Sequence, residues 1–361
     1  MKRTLLTTLL VLVSFSVRPQ LAINNTETPG QLVLNTFLGE NLSVSNIKFN
    51  GSAANAQTVR DQIAQFSDAS AALSCEQGLI LSTGKVNAAL GPNNTSSVNL
   101  PTATPFTGDA DLALISGAQV NNVCKLEFDF VPNGDTVLFE YIFASEEYPE
   151  FVNSQFNDTF GLFLSGPGIS GIYSNNAKNI ALIPSSSQPV SINTLNNGPN
   201  NFGPCTNCQY YVSNGIGTTP SINTAIQYDG RSTILTASGA VIPGATYHLK
   251  FAIANIYDNL YDSAMFLLQG SLRSATLGTQ NFKAEAMTML PNPATDFIKI
   301  HSAETIAEVS IYDLQGRTLI RKKNPGTDLS IDTTGLQAGT YIVECLSANQ
   351  EVTRQKLVIK D

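Results

Sequence analysis

Apolar runs of strand length follow one another along this chain, each cut short by Gly, Asn or Pro. The clearest are GLILSTG (78–84), CKLEFDFVP (124–132), DTVLFEYIF (135–143), FGLFLSG (160–166), NIALIP (179–184) and TYHLKFAIA (246–254). In the last of them Tyr247, Leu249, Phe251 and Ile253 fall on one face, and His248 and Lys250 on the other. That two-residue period belongs to a strand with one buried face. Such strands bury their apolar faces by stacking sheets. The expectation is an all-β chain with a large, jelly-roll-like β-sandwich over residues 21–275. The stretch QTVRDQIAQF (57–66) fits a helix or a strand equally well by periodicity. After an uncommitted linker at 276–286, a denser block runs over 287–361. There Ile298 and Ile300, Val309 and Ile311, and Tyr341, Val343 and Cys345 alternate, as in a small immunoglobulin-like sandwich.

The chain has 361 residues, enough for two cores. Net charge is −8, unevenly placed. Residues 17–281 carry nine basic and eighteen acidic side chains, whereas residues 282–361 carry nine and ten. An acidic first region repels phosphate backbones and excludes nucleic acid as a partner. Small cations are its natural partners. His248 and His301 are the two imidazoles, too few for a His-based zinc or catalytic site. His248, placed mid-strand with no nucleophile elbow, reads as a surface histidine rather than part of a Ser-His-Asp set. GPGISG (166–171) matches a phosphate-loop spacing, but the residues after it read as strand and turn, so a tight turn is expected.

Lys2 and Arg3 followed by TLLTTLLVLV read as a secretory signal over residues 1–16. Export to an oxidising space suits the five cysteines. The expected pairs are Cys205 with Cys208, a local staple in an Asn/Gly/Pro loop, and Cys75 with Cys124. Cys345 then stands alone as a small buried residue.

One stretch departs from the rest. FASEEYPEFVNSQFNDTF (143–160) packs three Glu and one Asp between two strand-like runs, and no Lys or Arg lies between Lys125 and Lys178. Calcium takes six to eight oxygens from carboxylates, amides and carbonyls. Glu146, Glu147, Glu150, Asn157 and Asp158 offer such oxygens, and Asp258, Asp262, Asp109 and Asp111 add more if the fold gathers their loops at one end. Two other readings stand beside this one: a solvated acidic loop guarding an edge strand, and a carboxylate pair for glycoside hydrolysis. The last is weakened by the absence of any Trp to stack on sugars, although eleven Tyr leave sugar binding open.

The motifs PNPATDFIKI, EVSIYDLQGR, IDTTGLQAGTYIV and KLVIK at 287–361 resemble the C-terminal (type A) sorting domain of Bacteroidetes type IX secretion. That resemblance implies a tail read by the secretion machinery, removed by its sortase, with the cargo attached to surface lipopolysaccharide. TPGQLVLNTFLG, GLILSTG, LEFDFVPNGDTVLFEYIFASEEYPEF, NDTFGLFLSGPG, PVSINTLNN, IQYDG and YDSAMFLLQGS resemble the choice-of-anchor L domain of secreted proteins from the same bacteria. Together they imply a secreted or outer-membrane surface module. Its expected role is non-enzymatic: adhesion, or binding of a glycan or other polymer, with calcium as a structural ion. An exported carboxylate-dependent hydrolase is the alternative.

Overall fold

The computed structural model describes residues 21–54, 60–70, 72–217, 226–276, 287–313, 317–323, 326–347 and 352–360. The expected signal segment 1–16 and residues 277–286 of the linker lie outside them. The chain divides into two compact units, one ending at Thr276 and the other beginning at Leu277.

In the first unit two antiparallel sheets stack. The larger runs, in spatial order, Leu21–Asn24, Ile63–Asp68, Gln77–Ser82, Ser263–Leu268, Thr136–Ser145, Gly230–Ser232 and Tyr211–Ser213. Leu235–Ala240 and Arg273–Ala275 also pair with Thr136–Ser145. The smaller sheet runs Ser52–Ala53, Leu42–Phe49, Val120–Pro132, Tyr247–Ile256, Thr159–Ser165 and Lys178–Asn179. The ambiguous stretch 57–66 resolves, where described, into the strand Ile63–Asp68. GPGISG forms a turn after Ser165, with Gly168 at φ 76°.

The inner faces meet in one core that includes Phe128, Phe139, Tyr141, Phe143, Phe160 and Phe251. The expected inward set of Tyr247, Leu249, Phe251 and Ile253 is fully part of it. Each large apolar side chain so buried contributes about 1.5–3 kcal/mol before chain entropy is charged against it. The larger sheet is buried on its other face too. There Ile80, Ile142, Ala144, Phe266 and Tyr228 form a second core under the segments that carry Val86 and Ile226. This double burial explains why Thr136–Ser145 reads as a nearly continuous apolar run.

The cysteines follow from this layering. Cys205 and Cys208 are bonded, as expected. Cys75 and Cys124 are not, which corrects the second expected pair. Cys124 sits in the core between the sheets, whereas Cys75 packs against the core on the far face of the larger sheet. A sheet separates them. Cys345 is a buried free thiol.

The second unit turns on one long strand, Phe297–Tyr312. Its first half pairs with Met287–Leu290 and Gly326–Asp332; its second half pairs with Thr318–Lys322 and Gly339–Ser347. The strand thereby serves both layers of a small sandwich. Ile298, Ile300, Val309, Ile311, Val343 and Leu357 fill its interior.

Candidate functional site

The acid-rich stretch leaves Thr136–Ser145 in the larger sheet and enters Thr159–Ser165 in the smaller one. The segment 257–262 makes the same passage in reverse, from Tyr247–Ile256 to Ser263–Leu268. Ser145 pairs with Ser263, and Thr159 with Ala254. Both crossings therefore lie at one end of the sandwich, where chain geometry forces their side chains together.

The carboxylates there are sealed, not solvated. Glu146, Asp158, Asp229 and Asp262 have no exposed surface, and Glu147 has 1%. Asp158 accepts from Ile256 N at 3.0 Å and from Ser263 Oγ at 2.6 Å. Ser263 Oγ also lies 2.8 Å from Ser145 Oγ, which accepts from Glu147 N at 2.9 Å. Glu146 Oε1 accepts from Val98 N at 3.0 Å and Gln227 Nε2 at 3.2 Å. Asp262 Oδ2 accepts from Leu100 N at 2.7 Å. The remaining oxygens have no partner: both of Glu147, Glu146 Oε2, Asp262 Oδ1 and Asp229 Oδ2. Thr159 Oγ1 and Asn255 Oδ1, which adjoin Asp158 and Ile256 in the chain, are also buried without one.

Leaving a buried acceptor unmatched costs about 1–3 kcal/mol, and more if it is charged. Burial accordingly pushes the Glu146 carboxyl up to about 8. Burial and the neighbouring Glu146 push Asp229 up to about 9. Burial lifts Asp262 to about 6. Glu147 and Asp158 are both raised, first by burial and then by repulsion among the acids around them. Such a cluster must either hold protons or face a cation. Among the described residues no three Asp, Glu, His or Cys side chains converge as a ready-made ligand group. A cation here would draw on a pair of carboxylates and complete its shell with amide, hydroxyl and carbonyl oxygens, as calcium does.

Of the nine residues expected to hold calcium, Glu146, Glu147, Asp158 and Asp262 lie buried in this cluster. Asp258 is half-buried and raises Glu147 and Asp158. Glu150 is exposed at its edge. Asn157 spends its side-chain oxygen on Asn193 N at 2.9 Å. Asp109 and Asp111 do not join, which corrects that expectation. Asp109 caps the short helix Ala110–Ser116, accepting from Asp111 N and Leu112 N. Lys250 pairs with both carboxylates, its Nζ lying 3.0 Å from each Asp109 oxygen and 2.5 Å from Asp111 Oδ2, and Lys125 Nζ lies 3.7 Å from Asp109 Oδ2. They sit on the outer face of the smaller sheet, beside His248. That histidine is half-buried rather than free, with Nδ1 2.8 Å from Asp129 and Nε2 3.6 Å from Glu127.

Asp229 escaped the sequence reading. It stands in IQYDG, noted as a motif but given no role. Its place beside Glu146 comes from the pairing of Gly230 with Ser145, which no local pattern reveals.

Residues 21–273 match the family model described as a Choice-of-anchor L domain, and residues 288–360 match a secretion system C-terminal sorting domain. Beta-agarase D of Zobellia galactanivorans is 33% identical over 89 residues, which are 25% of this chain and 18% of the agarase. The chain thus spans under a fifth of that curated relative. PorZ, a surface component of the type IX secretion system of Porphyromonas gingivalis, is 18% identical over 30% of this chain and 15% of its own, with a TM-score of 0.20. Dimeric latent PorU from the same organism is 13% identical over 71% of this chain and 20% of its own, with a TM-score of 0.17. Superpositions this loose carry no argument about fold or function.

Proposed function

We propose, from the premise that the chain belongs to the Choice-of-anchor L domain family and carries a type IX sorting tail, that it works as a non-catalytic surface module stiffened by calcium. The premise itself makes it a secreted or cell-surface protein of a Bacteroidetes-type bacterium and implies engagement of the type IX machinery. Removal of the tail by a sortase and attachment to lipopolysaccharide are part of the proposal. So is the ligand: a glycan or another surface polymer. Tyr257 and Leu260, both about half exposed, stand on the crossing 257–262 as contact groups.

The observation that carries this reading is Glu147, buried with neither oxygen partnered, and raised first by that burial and then by Asp158. A glycosidase aims its two carboxyl groups at a scissile bond from either side. Glu147 and Asp158, at 1% and 0% exposure, reach no polymer. They suit an ion far better than a substrate. The likeness to part of an agarase does not alter this, because it covers a quarter of the chain.

The test is retention without turnover. The exported protein is mixed with insoluble polysaccharides in calcium and in chelator, and bound protein and released reducing ends are both measured. Calcium-dependent retention with no release is expected. Release of reducing ends that disappears in Glu147→Gln while the fold persists would establish the hydrolase instead.

A further inference from the structure

We propose that the acidic end holds a second hard divalent cation, between Glu146 and Asp229, distinct from the calcium assigned above to Glu147 and Asp158. The proposal rests on that earlier reading for its chemistry, but on different residues. Glu146 and Glu147 adjoin in sequence yet turn to different partners. Glu147 lies with Asp158 and Asp258, whereas Glu146 reaches the segments carrying Val98, Gln227 and Asp229.

The second pair is held by a dedicated frame. Gly230 pairs with Ser145, and a Cβ at Gly230 would meet Tyr148 side-chain atoms at 2.6 Å. That close approach brings Asp229 beside Glu146, whose charge adds to burial in raising it. Asn93 Nδ2 donates to Asp229 Oδ1 at 2.5 Å and to Asn214 O at 3.1 Å. Gln227 Nε2 reaches Asn93 Oδ1, Thr95 O and Glu146 Oε1 at 3.1, 2.7 and 3.2 Å. The side-chain amides of the frame are thus engaged, and each carboxylate still has one oxygen with no partner: Glu146 Oε2 and Asp229 Oδ2, both in fully buried residues. The loop whose amides cap Glu146 and Asp262 carries a further unmatched oxygen. Asn99, between Val98 and Leu100, carries a buried Oδ1 without a partner.

Arg231 does not supply the missing charge, because its guanidinium donates to the Ser232 and Ala72 carbonyls. Two carboxylates balance one divalent ion. The unmatched acceptors of this pair are oxygens, Glu146 Oε2 and Asp229 Oδ2, which selects a calcium-like cation over a transition metal that favours nitrogen or sulfur.

Bound calcium is counted in the purified full chain by equilibrium dialysis near neutral pH, with far-UV circular dichroism confirming the fold. The expected count is about two per chain, falling to about one in Asp229→Asn and to about one in Glu147→Gln. A count of about one that survives Asp229→Asn and vanishes in Glu147→Gln overturns the second site and leaves the first intact. No bound calcium overturns both. If Asp229→Asn fails to fold, Glu146→Gln replaces it, and the wild-type count alone already separates two ions from one.

Discussion

Glu147 should respond to substitution with opposite signs in two buffers. In chelator it is a buried carboxyl beside other acids, so Glu147→Gln relieves repulsion and raises the melting temperature. In calcium the same change removes a ligand and lowers it. Asp158→Asn differs, because Asp158 accepts two hydrogen bonds, from Ile256 N and Ser263 Oγ. An amide nitrogen at one of those positions cannot accept, and the expected loss is about 1–3 kcal/mol in either buffer, larger in calcium. Thermal melts of both variants in both buffers check the pattern. At this scale the sequence was partly legible. An acid-rich stretch without nearby Lys or Arg pointed to Glu146, Glu147 and Asp158, and the fold buries all three. Asp109 was misread as a calcium ligand, although an Asp before ADLALIS with Gly117 after it is the pattern of a capped helix. Asp229 was not legible, because its partner lies more than eighty residues away in sequence and meets it only through strand pairing.

The strands Val120–Pro132 and Tyr247–Ile256 show what an element adds to its residues. Their alternation was readable, and their inner faces fill the core as expected. What alternation could not reveal is that their outer faces form an ion-paired surface. Lys250, 8% exposed, bridges Asp109 and Asp111. Lys250→Ala leaves Asp109 with the longer pairing to Lys125 and Asp111 with its Ser174 hydrogen bonds alone, and should cost about 3 kcal/mol, measured by denaturant unfolding. His248 is raised from its ordinary 6.5, first by the Glu127 carboxylate beside Nε2 and also by Asp129, while Glu127 and Asp129, despite their burial, are lowered by His248, Asn46 and the nearby lysines. A raised histidine contributes stability that is complete below its ordinary value and is lost as pH rises through the folded one. The lowered acids contribute above their ordinary values and lose that contribution in acid. His248→Gln should therefore flatten the fall in stability on the alkaline side of 6.5 while leaving the core unchanged. A pH series of unfolding midpoints reads this directly.

At the scale of the whole molecule, fold class and family were legible because strand runs and turn residues repeat through the chain and the motifs span most of it. The assignment of each strand to one of two sheets was not legible. That assignment carries 146–158 and 257–262 across the sandwich at the same end and so turns an acidic loop into a buried cluster. It also decides that Cys75 and Cys124 stay apart; non-reducing peptide maps of the exported protein should show Cys205 joined to Cys208 and thiols at Cys75 and Cys124. The sorting tail leads to a further expectation: wild-type protein released from the surface should end between residues 272 and 290 by intact mass, and recovery of chains ending at Asp361 would contradict removal of the tail. If the sealed carboxylates hold calcium, thermal melting of the exported chain in about 10 mM calcium against chelator will show it. Calcium should raise the midpoint by about 5–10 °C, from about 2.7 kcal/mol at a hundredfold excess over the dissociation constant. Superimposable melts in calcium and chelator would contradict it.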